Sequence, residues 1–151
     1  MISHLKCREI QAPVAKCLIR EFANAIGYKK ALKIAIAAIK KDAKISGCMV
    51  AKKYKGNGIK ELARIVKDIW SKDGALTINV LEKTKKHFNF NIIRCRYAEL
   101  YDTMGIRELG FCLSCSRDGS FVKGFNPKIK LSRTKTIMQG APLCDFRFTL
   151  K

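Results

Sequence analysis

The chain has 151 residues, 48% of them hydrophobic, and carries 31 Lys and Arg against 12 Asp and Glu, a formal net charge of +19. That content predicts one domain, 1–151, with a real core, and leaves no room for a second catalytic domain. The opening MISHLKCREIQ has no secretory apolar segment and the longest apolar run, IAIAAI, is far too short for a membrane span, so a cytoplasmic protein without a membrane partner is expected.

From 12 to 26 the residues Val14, Cys17, Leu18, Phe22, Ala25 and Ile26 follow helical spacing, with Pro13 suited to a first turn and Gly27 to a stop. A second helix is predicted over 29–45 on Leu32, Ile36, Ile39 and Ala43, ending near Ser46 and Gly47. A third follows the KGNG turn at 55–58 and buries Ile59, Leu62, Ala63, Val66, Ile69 and Trp70. After Gly74 the period changes to two. Leu76, Ile78 and Val80 alternate with polar residues, as do Phe88, Phe90 and Ile92, which reads as a hairpin across EKTKK. Short helices are predicted at 96–104 and 107–116, then turns in SRDGS and KGFNP, then strands at 128–134 and 143–150. The order predicts an α+β fold: N-terminal helices packed on one face of a roughly four-stranded, mainly antiparallel sheet, with short helices between the strand pairs.

The charge attracts polyanions in general. No helix-turn-helix, zinc-finger spacing or RNA-binding aromatic pattern accompanies it, so the lysines read as a solvated surface and no specific nucleic acid partner is expected. The seven cysteines, an odd number, predict reduced thiols rather than a disulfide framework. Cys7, Cys17, Cys48 and Cys112 read as core; a lone CxxC at 112–115 lacks the second pair of a zinc site.

The other three cysteines keep ionisable company, in RCRYAELY, SCSRDG and APLCDFRF. In the last strand Cys144, Phe146 and Phe148 share one face, which aims Cys144 at the core. Cys95, Glu99 and Asp102 fall at i, i+4 and i+7, and Cys115 and Asp118 at i and i+3. Each thiol thus has a carboxylate within reach, and Arg117 or Arg147 stands nearby to favour a thiolate. Cys95, Cys115 and Cys144 are expected to converge on one pocket, with Gly119, Gly124 and Gly140 shaping its rim. No cofactor is called for; if zinc or manganese were held, these three cysteines are the ligand candidates.

The segments CREIQAPVA, RCRYAELYDTMGIRELGFCLSCSRDG, GFNPKIKLSRTKTIMQGAP and CDFRF resemble the L-2-amino-thiazoline-4-carboxylic acid hydrolase family. The resemblance covers nearly the whole chain and is most specific from 91 to 148. It implies a hydrolase-like domain that opens a small five-membered ring containing a C=N carbon, as in conversion of 2-amino-thiazoline-4-carboxylate to a carbamoyl-cysteine. The family is distantly similar to 4-vinyl reductase-like ligand-binding domains, which implies a pocket between helices and an antiparallel sheet. A histidine that often precedes the cysteine of the CDF element is replaced by Leu143, and the two histidines, His4 and His87, fall in an expected frayed terminus and a strand.

For such chemistry Glu99 or Asp118, with a pKa raised by burial, would protonate the ring nitrogen, and Cys115 or Cys144, or an activated water, would attack; Cys95 completes the cluster. Arg96 or Arg133 would clamp a substrate carboxylate, and Thr136 would contribute to substrate binding. The competing reading is a non-enzymatic module that binds a small molecule or metal in the same pocket. Homo-oligomer formation is left open.

Overall fold

The computed structural model describes residues 2–151. Ser3 caps the first helix, its hydroxyl accepting from the Lys6 amide at 3.3 Å, and α1 runs His4–Ile26. The helix therefore begins eight residues before the expected start at 12, and Pro13 sits in its interior. Gly27, at φ 88°, ends α1 and opens α2, Tyr28–Tyr54, which continues past Ser46 and Gly47 to a left-handed Lys55. Gly47 does not stop α2; it is buried inside it and gives another helix room to approach.

α3, Ile59–Ile65, opens with the Glu61 carboxylate accepting from the Gly58 amide at 3.1 Å. It runs on into a π-helical turn, Val66–Trp70, where the Ser71 amide donates to the Val66 carbonyl. The hairpin forms as β1, Leu76–Lys83, and β2, His87–Cys95. α4 (Arg96–Thr103), α5 (Arg107–Leu113), a 3-10 turn at Cys115–Arg117 and α6 (Asp118–Phe125) follow. β3, Ile129–Ser132, and β4, Cys144–Leu150, complete the α+β fold.

The sheet order is β1-β2-β4-β3 with every pair antiparallel, so the last strand inserts between β2 and β3. Its register sets Ile92 opposite Cys144, Phe90 opposite Phe146 and Phe88 opposite Phe148, all buried on one face. Phe90 and Phe146 stack with centroids 5.1 Å apart. Ile59, Leu62, Ile65, Val66 and Trp70, with Phe121 and Phe125 of α6, cover that face as one core. A second core joins α1, α4 and α5 through Ala12, Ile19, Ala98, Tyr101, Leu109 and Cys112. Cys95 and Ile137 touch both.

α1 turns its small residues inward. Ala12 and Ile19 are buried, whereas the i, i+4 row Ile10, Val14, Leu18, Phe22 and Ile26 is 43–62% exposed. Val14, Leu18, Phe22 and Ile26, read from periodicity as part of the buried stripe, thus face outward, because the inward face is chosen by how closely a helix can approach and not by side-chain size alone. Among the described residues, no helix is long and apolar enough to cross a membrane.

Candidate functional site

A cavity of about 90 Å³ opens where the two cores meet. On a scale where one water takes roughly 10–15 Å³, it admits a small molecule. Trp70, Leu76, Ile92, Met138 and Phe146 form its apolar wall, and Cys95, Cys115, Cys144, Asp118 and Arg133 bring its chemistry. Each comes from a different part of the fold: Cys95 ends β2, Cys115 opens the turn before α6, Asp118 starts α6, Arg133 follows β3 and Cys144 starts β4. The three sulfurs that the sequence groups by their neighbours share this one cavity.

Arg133 organises the polar side. It pairs with Asp118 and donates to the Cys115 carbonyl at 3.1 Å, while its guanidinium lies 5.2 Å from the Phe146 ring centroid. Both partners are largely shielded, with 12% of the Arg133 and 21% of the Asp118 side chain exposed. Burial pushes the Asp118 carboxyl up to about 6 against the opposing pull of Arg133. The acid is thus poised to exchange a proton near neutral pH.

Burial also pushes the thiols up: Cys95 to about 11, Cys115 further still, and Cys144 in the same direction. Free thiolates are therefore scarce at neutral pH. Cys144 has two supports for negative charge, since the Ile137 amide donates to its Sγ at 3.2 Å and Arg133 lies in range. The arginines expected to favour thiolates are engaged elsewhere. Arg117 pairs with Asp42 at 2.5 Å, although it does line the cavity. Arg147 donates to the Phe90 and Phe146 carbonyls and the Asn91 side chain, on the opposite face of the sheet.

Other expected site residues lie apart. Glu99 is exposed and accepts from Arg94 at 2.7 Å, a hydrogen bond that holds its carboxyl below the usual range, so it is no proton donor at neutral pH. The face of Cys95, Glu99 and Asp102 does not form, since Cys95 belongs to β2 and only the acids lie on α4, with Asp102 paired to Arg107. Arg96 donates to the Asp73 carbonyl at 2.8 Å, and buried Thr136 caps the 137–139 turn through Gln139. Neither lines the cavity, nor do Gly119, Gly124 and Gly140. Among the described residues no three His, Cys, Asp or Glu side chains are arranged to hold a metal ion. Cys95, Cys115 and Cys144 share a wall without forming the zinc or manganese ligand set considered above.

Among the lining residues that the sequence reading did not assign to the site are His4, Arg8, Trp70 and Tyr97. His4 is not frayed but is the first residue of α1, with burial pushing its imidazole down to about 4. Tyr97 donates to the Trp70 carbonyl at 3.1 Å and so ties α4 to the π-helical turn. The presence of Arg8 in CREIQ, a segment that carries the resemblance, was the available signal.

All seven thiols are free, and Cys17 and Cys48 are exposed rather than core. In native protein a maleimide is therefore expected to modify Cys17 and Cys48 rapidly and buried Cys112 and Cys144 slowly, with all seven reacting in denaturant. Rapid native labelling of Cys112 or Cys144, read by peptide mass, would contradict their burial.

No curated protein sequence matches the chain. Among solved structures, the phenol-responsive sensory domain of the transcription activator PoxR, with phenol, superposes at a TM-score of 0.56 and 10% identity, over 99% of this chain and 76% of that one. A trafficking protein particle complex subunit 3 from Naegleria fowleri, covalently bound to palmitic acid, gives a TM-score of 0.48 and 13% identity over 95% and 94% of the two chains. At these identities the first likeness is one of fold. The sequence pattern of the L-2-amino-thiazoline-4-carboxylic acid hydrolases matches residues 7–148, and the chain belongs to that family.

Proposed function

We propose that the protein is a hydrolase that opens a small five-membered ring at a C=N carbon, of the cyclic amidine or thiazoline type. The observation that carries this reading is the buried Asp118 carboxyl, at about 6, facing the same cavity as Cys144 and Cys115. A carboxyl of that pKa is a stronger base than an ordinary aspartate and can give the proton back near neutral pH, which is what addition to a C=N bond requires. In this mechanism Cys144 Sγ attacks the ring carbon while its proton passes by way of Asp118 to the ring nitrogen. The Ile137 amide and Arg133 support the charge developing on sulfur, so no resting thiolate is needed. The bond between that carbon and the protonated ring nitrogen then breaks, the nitrogen leaving as an amine with its second proton taken from the amidine nitrogen or water. Water adds to the carbon and expels Cys144 as the thiol to give the open-chain product. Cys115 is the alternative nucleophile, Cys95 lines the site, and Arg133 holds Asp118 in place.

A second reading is a small-molecule binding module. It draws on the apolar wall and on thiols that burial keeps protonated and inert, and the likeness in fold to a phenol-responsive domain is compatible with it. A ring-opening assay on 2-amino-thiazoline-4-carboxylate and simpler cyclic amidines separates the two, run with and without added zinc or manganese. Turnover is expected from wild-type protein and loss of it, with the melting temperature retained, from Cys144→Ser. No turnover by wild-type protein, together with cysteine variants altered only in melting temperature, would leave the binding module.

A further inference from the structure

The charges around the cavity do not balance. Its wall holds three guanidinium groups, Arg8, Arg117 and Arg133, against one carboxylate, Asp118. Asp118 answers Arg133, and Asp42 answers Arg117 from α2. Arg8 has only a neutral partner, donating to Gln11 Oε1 at 2.7 Å, and no carboxylate pairs with it among the described residues. Burial first, and then the like charge of Arg117, work against its charged form. Next to it His4, also in the wall, stays neutral because burial and the two arginines oppose its protonation. A guanidinium cannot shed its proton at any ordinary pH, so this end of the cavity holds one partly buried positive charge that the fold leaves unmatched.

We propose that Arg8 is the anchor of an anion subsite, taking the carboxylate of a small, singly negative ligand whose remaining ring lies toward Cys144 and Asp118. The inference rests on reading this cavity as the ligand site. Arg8 is a specificity determinant here and takes no part in bond breaking. The planar fork suits a carboxylate's two oxygens, and a cation already stripped of part of its water gains more from such a partner than a solvated one. It replaces Arg96, which is committed to the Asp73 carbonyl, and Arg133, which is committed to Asp118, as the clamp.

The test is calorimetric binding to the full chain of thiazolidine-4-carboxylate and of thiazolidine-4-carboxamide, which keeps ring and size but not the charge. Neither contains a C=N bond, so turnover cannot confuse the measurement. Wild-type protein is expected to prefer the carboxylate by about 10- to 100-fold, the worth of a hydrogen bond to a charged group. Arg8→Gln should bring that ratio close to one without weakening the carboxamide, and Arg8→Lys should keep part of it. Arg8→Met, which retains the aliphatic stem, is read in the same way should the glutamine variant fold poorly. A ratio near one in wild-type protein, or a ratio undiminished in Arg8→Gln or Arg8→Met, overturns the proposal. Its failure is separable from that of the hydrolase reading: charge discrimination without ring opening keeps the subsite and removes the reaction, and ring opening without discrimination does the reverse.

Discussion

Asp118→Asn is expected to slow ring opening by about 100-fold or more, the usual loss when a general acid or base is removed. Asparagine keeps the size and an oxygen that can accept from Arg133, so the cavity should hold its shape while losing the group that exchanges the proton. In wild-type protein kcat/KM should fall as the pH drops through about 6, where the carboxylate takes up a proton and can no longer receive one from the thiol. The variant's residual rate should lack that limb. Stability carries a second signature. The carboxyl's pKa is raised by burial from 3.8 in the unfolded chain to about 6 in the fold, so its favourable contribution is complete below the lower value and is lost as pH rises through the upper one. Urea unfolding at a series of pH values should therefore show the asparagine variant gaining on wild type across that window. Wild-type turnover with an unchanged pH profile in the variant would remove Asp118 from the mechanism.

Gly124→Ala and Gly47→Ala are each expected to destabilise the fold by about 2 kcal/mol or more, although alanine in an isolated helix is favoured over glycine by about 0.5–1 kcal/mol. The sign reverses because α2 and α6 cross backbone to backbone. A Cβ on Gly124 would stand 2.0 Å from the Lys44 carbonyl oxygen, and one on Gly47 would stand 2.1 Å from that of Phe121. Main-chain atoms cannot swing aside as a side chain does, so the helices must part. For a chain of this size the midpoint should drop by roughly 4–8 °C per variant. The double variant should cost less than the sum, since the first methyl already opens the crossing that the second would clash in. α6 begins at Asp118, so parting the helices should also lower kcat. Thermal unfolding decides the matter, and a rise in melting temperature for either alanine variant would contradict the close crossing.

The elements whose signal is local were legible in the sequence. Period-two alternation placed both strands of the hairpin and turned Cys144 inward with Phe146 and Phe148, because adjacent side chains on a strand must point to opposite faces. Helix limits were less legible. Ser3 begins α1 and Lys55 ends α2, while Pro13 and Gly47, read as boundary residues, lie inside. Gly47 is misleading as a stop because its missing side chain serves a neighbouring helix, and that neighbour is invisible in the local pattern. Cys95 was misplaced for a related reason: helical spacing to Glu99 is satisfied on paper, but β2 runs on to Cys95 through its pairing with Leu76.

The sequence by itself determined the order of helices and strands, the inward face of β4 and, through its matching segments, the family. Those properties depend on neighbours a few residues apart. Only the tertiary structure decided which ionisable groups meet. Inserting β4 between β2 and β3 sets Cys144 opposite Ile92, close to where β2 ends at Cys95. The close crossing of α2 and α6 seats Asp118, and the packing of α1 carries His4 and Arg8 to a cavity wall assembled from the far half of the chain. The same packing decided the chemistry of these groups. Desolvation raises Asp118 and the thiols, and the pairing of each other cavity arginine with a carboxylate leaves Arg8 unanswered. Burial and charge balance belong to a neighbourhood in space, and that neighbourhood exists only once the chain is folded.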